Sequence, residues 1–385
     1  MTLKTSLLSK RILMGTALSS SLLLIACQEH ADLKTPLQAS ETNSLGSALV
    51  AKVDIVNPSS FKRPDEPIYL SYYDLGLSQT AALTVKTAQQ VLPSQAVDID
   101  SDGELDGVYF IVDLNDKPIE VTITQQSSPS ITAQTKRVQA DLAHKQGGQW
   151  QPHSRPPKHQ VGTGKKEYVG GEFKNVDELT PPDYYTDHSN WIRYEGPGIE
   201  SDKVGYRFYL DWRNGFDIFG KLTTQPVLHT VGLDGYSSYH DKQDWGMDIL
   251  KVGKSLGAGG FGLLGNNDEL EHVSDVSKRT ARIIENGDLR ASIQIEYQGW
   301  QNSYQQQDLI ANISMHGGSR LAHVELNTDK DLPNLVAGVV KHPDTEFIQG
   351  DLDAMSNYGY SYIASWGNQS LDKSALGMAV FFKKG

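Results

Sequence analysis

The sequence contains one cysteine, Cys27, among its 385 residues. Disulfide bonds within the chain, thiolate catalysis and zinc sites built from cysteine are therefore excluded. The H-E-x-x-H motif of zinc proteases and the G-x-S-x-G motif of common serine hydrolases are also absent. No apolar run beyond residue 26 is long enough for a membrane span. The chain thus lacks the main sequence signatures of several common classes of enzyme and membrane protein.

Positive charge is scarce relative to negative charge. The 35 Lys and Arg residues stand against 47 Asp and Glu residues, which gives a formal net charge of -12. A nucleic-acid-binding domain would carry a basic patch, so we expect no nucleic-acid partner.

The G-x-G-x-x-G pattern at 257–262 lacks the β-α-β unit that a dinucleotide site needs. We interpret these glycines as points where a strand bends or where a backbone or ligand approaches closely.

The first 27 residues predict a lipoprotein signal peptide. Three basic residues precede an apolar run of 15 residues, Ile12–Ala26, which is too short to span a bilayer. The run leads into Leu24–Cys27, which looks like the lipobox of bacterial lipoproteins, whose cysteine becomes the lipidated first residue. Gln28 resembles the outer-membrane sorting pattern. We therefore expect a cell-envelope protein whose only membrane contact is a lipid on Cys27 in the outer membrane, with residues 28–47 as a flexible tether.

Two β-rich domains are predicted after the tether. Residues 48–126 hold short β-branched runs separated by Pro, Asn and Asp, which is typical of a small β-sandwich. Residues 130–385 hold longer alternating runs, and Asn286-Gly287 indicates a hairpin with a type I′ turn. Consecutive strands with tight turns favour two large antiparallel sheets packed face to face. The predicted fold class is all-β, with a small N-terminal β-sandwich followed by a large antiparallel β-supersandwich.

An acidic loop lies inside the first predicted domain. Carboxylates stand at the first, third, fifth and ninth places of a calcium loop, and they belong to Asp98, Asp100, Asp102 and Asp106. Gly103 takes the sixth place, but Tyr109 takes the twelfth, where an EF-hand needs Glu. Either a structural calcium ion or an acidic turn between two strands explains this pattern. The sequence requires no cofactor for activity.

Rings and charges alternate in the segment 184–250, which holds 13 of the 33 aromatic residues. Within it, residues 203–212 are predicted to form a strand, since their side chains divide into an apolar face and a polar face. The polar face carries Arg207, Tyr209, Asp211 and Arg213. We expect this face to point into solvent or a groove, because the apolar face packs inward.

Such a polar face suits an acidic oligosaccharide. Arginine offers a planar fork for a carboxylate or sulfate, and aromatic rings stack on the apolar faces of sugars. The candidate substrate-binding residues are Arg193, Arg207, Tyr209, Arg213, Trp245 and Lys251. Ordinary ion pairs of Arg207 and Arg213 with nearby carboxylates such as Asp211, Asp217 or Glu200 would explain the same pattern.

Histidine and tyrosine supply the candidate catalytic groups. His188 and His240 lie in the aromatic segment. Tyr236 and Tyr239 precede His240 in a loop-like stretch, where functional groups concentrate. A metal site formed by His188, His240 and Asp244 is an alternative, although its spacing is not diagnostic.

Six short stretches carry a resemblance to known proteins, namely Tyr194–Pro197, Glu200–Lys203, Tyr206-Arg207, Asp211–Asn214, Asp217–Lys221 and Asp244–Asp248. They resemble a family of exported bacterial proteins, long classified as a domain of unknown function and found among polysaccharide-degrading systems. One member is described as an oligosaccharide dehydratase in ulvan breakdown. The resemblance covers residue 48 onward and implies a mutarotase-like carbohydrate enzyme, but no particular catalytic residue. Family members continue beyond a strand like Leu376–Phe382, which implies a truncated C-terminus.

The expected function is lyase chemistry on uronic-acid-containing oligosaccharides. Water or an alkoxide leaves between C4 and C5, and an unsaturated uronate results. The reaction needs a cation on the carboxylate, a base for the C5 proton and an acid for the leaving oxygen. Each role has two candidates, namely Arg207 or Arg213 as the cation, His240 or His188 as the base, and Tyr239 or Tyr236 as the acid.

Two other functions fit the same segment. A glycoside hydrolase would use a pair of carboxylates, and the candidates are Glu195, Glu200, Asp234 and Asp244. A non-catalytic surface lipoprotein that binds glycans would need only the rings and arginines. The product separates the three functions, because a lyase gives an unsaturated uronate, a hydrolase gives a saturated reducing sugar, and a binding protein gives none.

The lipid anchor is directly testable. Replacing Cys27→Ala removes the only thiol that an acyl chain could modify. We expect the variant to lose acyl labelling and to leave the membrane fraction, both measured in cells that express the full chain. Acyl labelling at the wild-type level in this variant would contradict the prediction.

Overall fold

The computed structural model describes residues 42–43, 47–77, 82–126, 134–153, 166–351 and 359–383. The predicted signal peptide, Cys27 and most of the tether lie outside these residues. Within the described ranges the strands pair antiparallel in seven sheets, and two short 3-10 helices, Arg193–Glu195 and Ser238–His240, are the helical elements. No helix in this part of the chain is long and apolar enough to span a membrane. The predicted all-β fold class is confirmed.

Two sheets form the N-terminal part. Their strands are β1 (Thr42–Asn43), β2 (Ser47–Ile55), β3 (Arg63–Ser71), β4 (Leu83–Lys86), β5 (Val91–Leu92), β6 (Ser94–Val97), β7 (Gly107–Leu114) and β8 (Ile119–Gln126). One sheet has the order β1-β2-β8-β4-β5 and the other β3-β7-β6. Val53, Phe110 and Ile123 are among the buried residues of one shared cluster. The two sheets thus pack as a small sandwich with its own core.

The larger part of the chain contributes the remaining strands. They are β9 (Val138–Asp141), β10 (Ala143–Pro152), β11 (Lys166–Asn175), β12 (Glu178–Leu179), β13 (Gly198–Ser201), β14 (Gly205–Phe208), β15 (Phe216–Lys221), β16 (Gly246–Asp248), β17 (Ala258–Leu264), β18 (Leu270–His272), β19 (Lys278–Asn286), β20 (Arg290–Gln301), β21 (Gln306–His316), β22 (Ala322–Thr328), β23 (Leu335–Val339), β24 (Glu346–Asp351), β25 (Tyr360–Gly367) and β26 (Leu376–Lys383). Two five-stranded sheets dominate, with the orders β12-β19-β20-β21-β22 and β16-β15-β14-β13-β9. Smaller sheets are β18-β17-β23, β24-β25-β26 and the hairpin β10-β11.

The two five-stranded sheets share the main hydrophobic core. Ile293 and Ile313 of the first sheet and Ile199 and Phe208 of the second are at most 1% exposed and belong to one cluster. Side chains alternate between buried and more exposed positions along β21 and along residues 293–298 of β20, as the sequence predicts, whereas the first four residues of β20 are all buried. Full burial of such a side chain contributes about 1.5–3 kcal/mol. The face-to-face packing of these sheets is therefore the main support of the second sheet, which carries the candidate site.

The predicted hairpin at Asn286-Gly287 is present between β19 and β20, but the prediction of a type I′ turn is wrong. Asn286 pairs with Ala291, so four residues form the turn, and neither Asn286 nor Gly287 has the positive φ that a type I′ turn requires. The reason is contact with the small sandwich. Gln95 accepts the N–H groups of Leu289 and Arg290 at 2.9 and 3.0 Å, and this contact accounts for the wider turn.

The acidic loop connects β6 to β7 and folds around Asp98. The buried carboxylate of Asp98 accepts three backbone N–H groups of the loop at 2.7–3.2 Å. Oxygens of Asp98, Asp100 and Asp106 lie within 4.8 Å of one another. Asp102 is not in this group and accepts the N–H of Glu104 instead. Burial and the neighbouring Asp106 raise the pKa of Asp100, so a cation there would relieve repulsion.

Calcium binding by this loop is a testable expectation. A ligand that binds only the folded state at a hundredfold excess over its Kd adds about 2.7 kcal/mol to the free energy of unfolding. Calcium should therefore raise the melting temperature of metal-free protein, and Asp100→Asn should reduce that rise. Asp116→Asn, in an exposed turn of the same sandwich, is the matched control. An unchanged melting temperature of the wild type on adding calcium would show that the loop is only a turn.

Candidate functional site

The strand predicted at residues 203–212 is shorter in the structure. It is β14, Gly205–Phe208, the middle strand of its sheet. Arg207 is 2% exposed and Arg213 7% exposed, so the expectation that this polar face meets solvent or a groove is wrong. The reason is an additional layer. The segment between β15 and β16 folds over the sheet and places Tyr239, itself 1% exposed, against the guanidinium of Arg207. Both faces of β14 are therefore covered by protein.

Arg207 bridges two buried carboxylates. Its Nη2 donates to Asp217 at 2.7 Å and to Asp248 at 2.6 Å, and its Nη1 donates to the hydroxyl of Tyr239 at 3.1 Å. Tyr209 packs over the guanidinium and donates its hydroxyl to Asp217. Burial and the nearby Asp217 raise the pKa of Asp248 well above its usual range. The donors of Arg207 are thus occupied by protein groups rather than held ready for a substrate.

Arg213 is paired in a similar way. Its Nε donates to Asp211 at 2.9 Å, and its Nη2 also donates to Asp211 while lying 3.0 Å from Glu195 Oε2. The ring of Tyr209 covers the guanidinium, with its centroid 3.5 Å away. Burial raises the pKa of Glu195, but Arg213 and Arg207 outweigh it and lower that pKa. Both arginines therefore form the ion pairs that the alternative interpretation described.

The remaining predicted binding residues do not converge on one opening. Arg193 is 1% exposed and paired with Asp141. Trp245 is half-buried and packs edge-on against Phe219, with ring centroids 5.8 Å apart. Lys251 is exposed on a separate segment beyond β16. Their assignment as substrate-binding residues stays a prediction that this arrangement does not favour.

The loop that precedes β13 is conformationally strained. His188, Asn190, Tyr194 and Glu195 have φ values of 58, 58, 40 and 71°, in the left-handed region that residues with side chains seldom adopt. Such conformations cost roughly 1–3 kcal/mol each and cluster at functional sites. The N–H of His188 donates to Glu195 Oε1 at 2.7 Å. The strained loop thereby holds His188 against the buried charges.

His188 connects a buried carboxylate to a partly exposed phenol. Its Nδ1 lies 2.6 Å from Asp187 Oδ2, and its Nε2 lies 3.1 Å from the hydroxyl of Tyr236. Burial raises the pKa of Asp187, but hydrogen bonds from His188 and Thr186 lower it to about 2. The ionised Asp187 accepts a hydrogen bond from Nδ1–H of His188, and in that neutral tautomer Nε2 accepts a hydrogen bond from the O–H of Tyr236. The three residues form a hydrogen-bonded series from core to surface.

Tyr236 lies between the two predicted histidines. Its ring centroid is 5.2 Å from that of His188 and 5.1 Å from that of His240. Burial, and next the charge of Glu195, raise the pKa of Tyr236, so the phenol is neutral near pH 7. His240 places Nδ1 3.1 Å from the carbonyl of Tyr236 and Nε2 3.5 Å from Asp248. Both nitrogens of His240 therefore face protein groups.

The structure brings all four predicted catalytic residues together. The side chains of His188 and His240 are 16% and 33% exposed and Tyr236 is half-buried, whereas Tyr239 is buried with its hydroxyl on Arg207. A metal site formed by His188, His240 and Asp244 is not among the groups of converging ligands in the described part of the chain. The accessible acid-base groups are thus His188, Tyr236 and His240.

Sequence reasoning named Asp217 as a partner of Arg207 but missed Asp187 and Asp248, the carboxylates that lie against the two histidines. Asp187 is adjacent to His188 in the chain, and that adjacency was an available but weak signal. Asp217 and Asp248 come from β15 and β16, and they meet at Arg207 only because those strands pair, with Phe219 opposite Asp248. No spacing in the sequence reveals that meeting.

The model of a family described as a domain of unknown function, DUF4861, matches residues 55–385 of the chain. No curated protein and no solved structure matches the chain. The match spans the strained loop, the two five-stranded sheets of the main core and the segment that carries Tyr236. The candidate site therefore lies wholly within the matched region.

Proposed function

The chain belongs to the DUF4861 family, and on that premise we propose that it is a carbon-oxygen lyase that acts on uronic-acid-containing oligosaccharides. The proposal includes the resemblance to an oligosaccharide dehydratase of ulvan breakdown and an outer-membrane lipid anchor at Cys27. The observation that carries it is the series Asp187–His188–Tyr236, which places an imidazole nitrogen and a phenol hydroxyl 3.1 Å apart beside a buried carboxylate. An elimination needs a base for the C5 proton and an acid for the leaving oxygen, and two neighbouring groups can supply both from one side of the sugar ring.

The two groups divide the proton transfers between them. When Tyr236 turns its O–H toward the leaving oxygen, the lone pair of His188 Nε2 becomes free to take the proton from C5, and the electrons of the C5–H bond form the C4=C5 double bond. Tyr236 donates its proton to the oxygen that leaves C4 as water or an alcohol. The proton on His188 then returns to the phenolate across their hydrogen bond, which restores both groups. The buried carboxylate of Asp187 stabilises the imidazolium that exists between these steps, as in other carboxylate–histidine pairs.

His240 takes a supporting position in this scheme. Burial and the charge of Arg207 lower its pKa, so its ring is neutral near pH 7. Its Nδ1 donates to the carbonyl of Tyr236, which fixes the segment that carries the phenol. His240 therefore positions Tyr236, and the role of base moves to His188.

The hydrolase alternative has less support from the geometry. Glu200 is fully buried, pairs with Lys221 and accepts the N–H groups of Val227 and Leu228 at 2.7 and 2.8 Å. Glu195 is buried beside Arg213. A glycosidase needs two carboxylates that flank the scissile bond in an open site; neither of these two is open, which leaves the exposed Asp234 and Asp244 as its candidates.

The lyase proposal predicts that His188→Gln and Tyr236→Phe each lower turnover of a uronate-terminated oligosaccharide by roughly 10²- to 10⁴-fold, the usual contribution of one acid-base group. The measurement is the ultraviolet absorbance of the unsaturated product, checked by mass. His229→Gln is the matched control, because His229 lies in the same segment and is exposed.

Circular dichroism on each variant separates a lost proton transfer from a lost fold. Wild-type turnover in both variants would contradict the assigned acid and base. A saturated reducing sugar as the wild-type product would favour a hydrolase, and binding without any product would favour a glycan-binding lipoprotein.

A further inference from the structure

The lyase chemistry needs a cation that neutralises the substrate carboxylate and so acidifies the C5 proton. Four cations buried around the site are paired with carboxylates, namely Arg193 with Asp141, Arg207 with Asp217 and Asp248, Arg213 with Asp211 and Glu195, and Lys221 with Glu200. Separating a buried pair is strongly destabilising, because it leaves an uncompensated buried charge. A substrate carboxylate is therefore more readily bound by a cation outside this network.

A cavity of about 440 Å³ borders the candidate site and offers such a cation. Its lining includes Lys145, Glu172, Phe173, Asn190, Asp234 and Gly235. Asn190 follows His188 by two residues, and Gly235 directly precedes Tyr236, so the loops that carry the base and the acid also form the cavity wall. A Cβ built on Gly235 would meet no atom within 4 Å, which leaves room for a ligand on that side.

Lys145 is the cation of this cavity. It lies on β10 directly opposite Phe173 of β11, and its Nζ is 5.2 Å from the centre of that ring. Among the residues that the structure describes, no carboxylate pairs with Lys145, because Glu172 pairs with Lys174 at 2.9 Å. Burial alone lowers the pKa of Lys145. A half-buried ammonium that lines a cavity and forms no ion pair with its carboxylates is able to bind an anionic ligand.

An acidic group in the cavity wall suits a sugar. The carboxylate of Asp234 accepts a hydrogen bond from the hydroxyl of Ser238 at 2.5 Å. It could accept a hydrogen bond from a sugar hydroxyl in the same way. Phe173 is half-buried and offers an apolar ring, on which a sugar face can pack. The wall thus combines one cation, one ring and two carboxylates, of which Glu172 pairs with Lys174 and Asp234 accepts a hydroxyl.

We propose that Lys145 binds the carboxylate of the substrate uronate in this cavity, next to His188 and Tyr236. The assignment rests on the proposed lyase function and names the residue that recognises the acidic sugar. Lys145 replaces Arg207 and Arg213 in that role, and those arginines hold the buried network in place.

The test compares Lys145→Met with Lys174→Met, a lysine of the same hairpin that already has a carboxylate partner. The substrates are a glucuronate-terminated oligosaccharide and its carboxyl-reduced counterpart, and the readouts are KM, kcat and the Kd from calorimetry. A hydrogen bond to a charged group contributes about 1.5–3 kcal/mol, so Lys145→Met should weaken binding of the acidic ligand about tenfold to a hundredfold. Binding of the reduced ligand should change little, and Lys145→Arg should retain most of the affinity.

The outcomes separate this inference from the proposed function. Turnover by the wild type with unchanged KM and Kd in Lys145→Met would overturn the role of Lys145 and leave the lyase intact. Selective loss of acidic-ligand binding in Lys145→Met, without turnover by the wild type, would support the subsite and overturn the lyase. Absence of binding of either ligand to the wild type would overturn both.

Discussion

Pairing of buried charges is the constraint on which the site depends. A charge removed from water must meet an opposite charge or a set of hydrogen bonds. Arg207 on β14 meets this need through Asp217 on β15 and Asp248 on β16, so one guanidinium fixes three consecutive strands of the sheet. Arg213 extends the network to Glu195, whose other oxygen accepts the N–H of His188. The position of the proposed base thus follows from ion pairs beneath it.

The fold was largely predictable because its period is simple. Alternation of apolar side chains along β20 and β21 fixes which face is buried, and the structure shows that face packed against the second sheet. The same argument failed at β14. A period of two tells which residues share a face, but it cannot tell that a distant segment covers the polar face with Tyr239. That layer turned an expected binding surface into a buried network.

The sequence predicted which residues form the candidate site better than it predicted the role of each residue. His188, His240, Tyr236 and Tyr239 do lie together, since the sequence places them in one aromatic segment and its neighbouring loop. Their division of labour depends on partners that only folding brings near, such as Asp248 beside His240. Lys145 lies on a hairpin outside the aromatic segment, so no pattern within that segment points to it.

The central claim is that acid and base act from one side of the sugar ring, because Tyr236 and His188 are hydrogen-bonded neighbours. Glucuronate carries its C5 hydrogen and C4 oxygen on the same side, whereas its C5 epimer, iduronate, carries them on opposite sides. The most direct measurement is the rate of unsaturated product from two oligosaccharides that differ only in this epimer at the non-reducing end. The account predicts turnover of the glucuronate form and little turnover of the iduronate form. Equal rates, or a preference for iduronate, would contradict it.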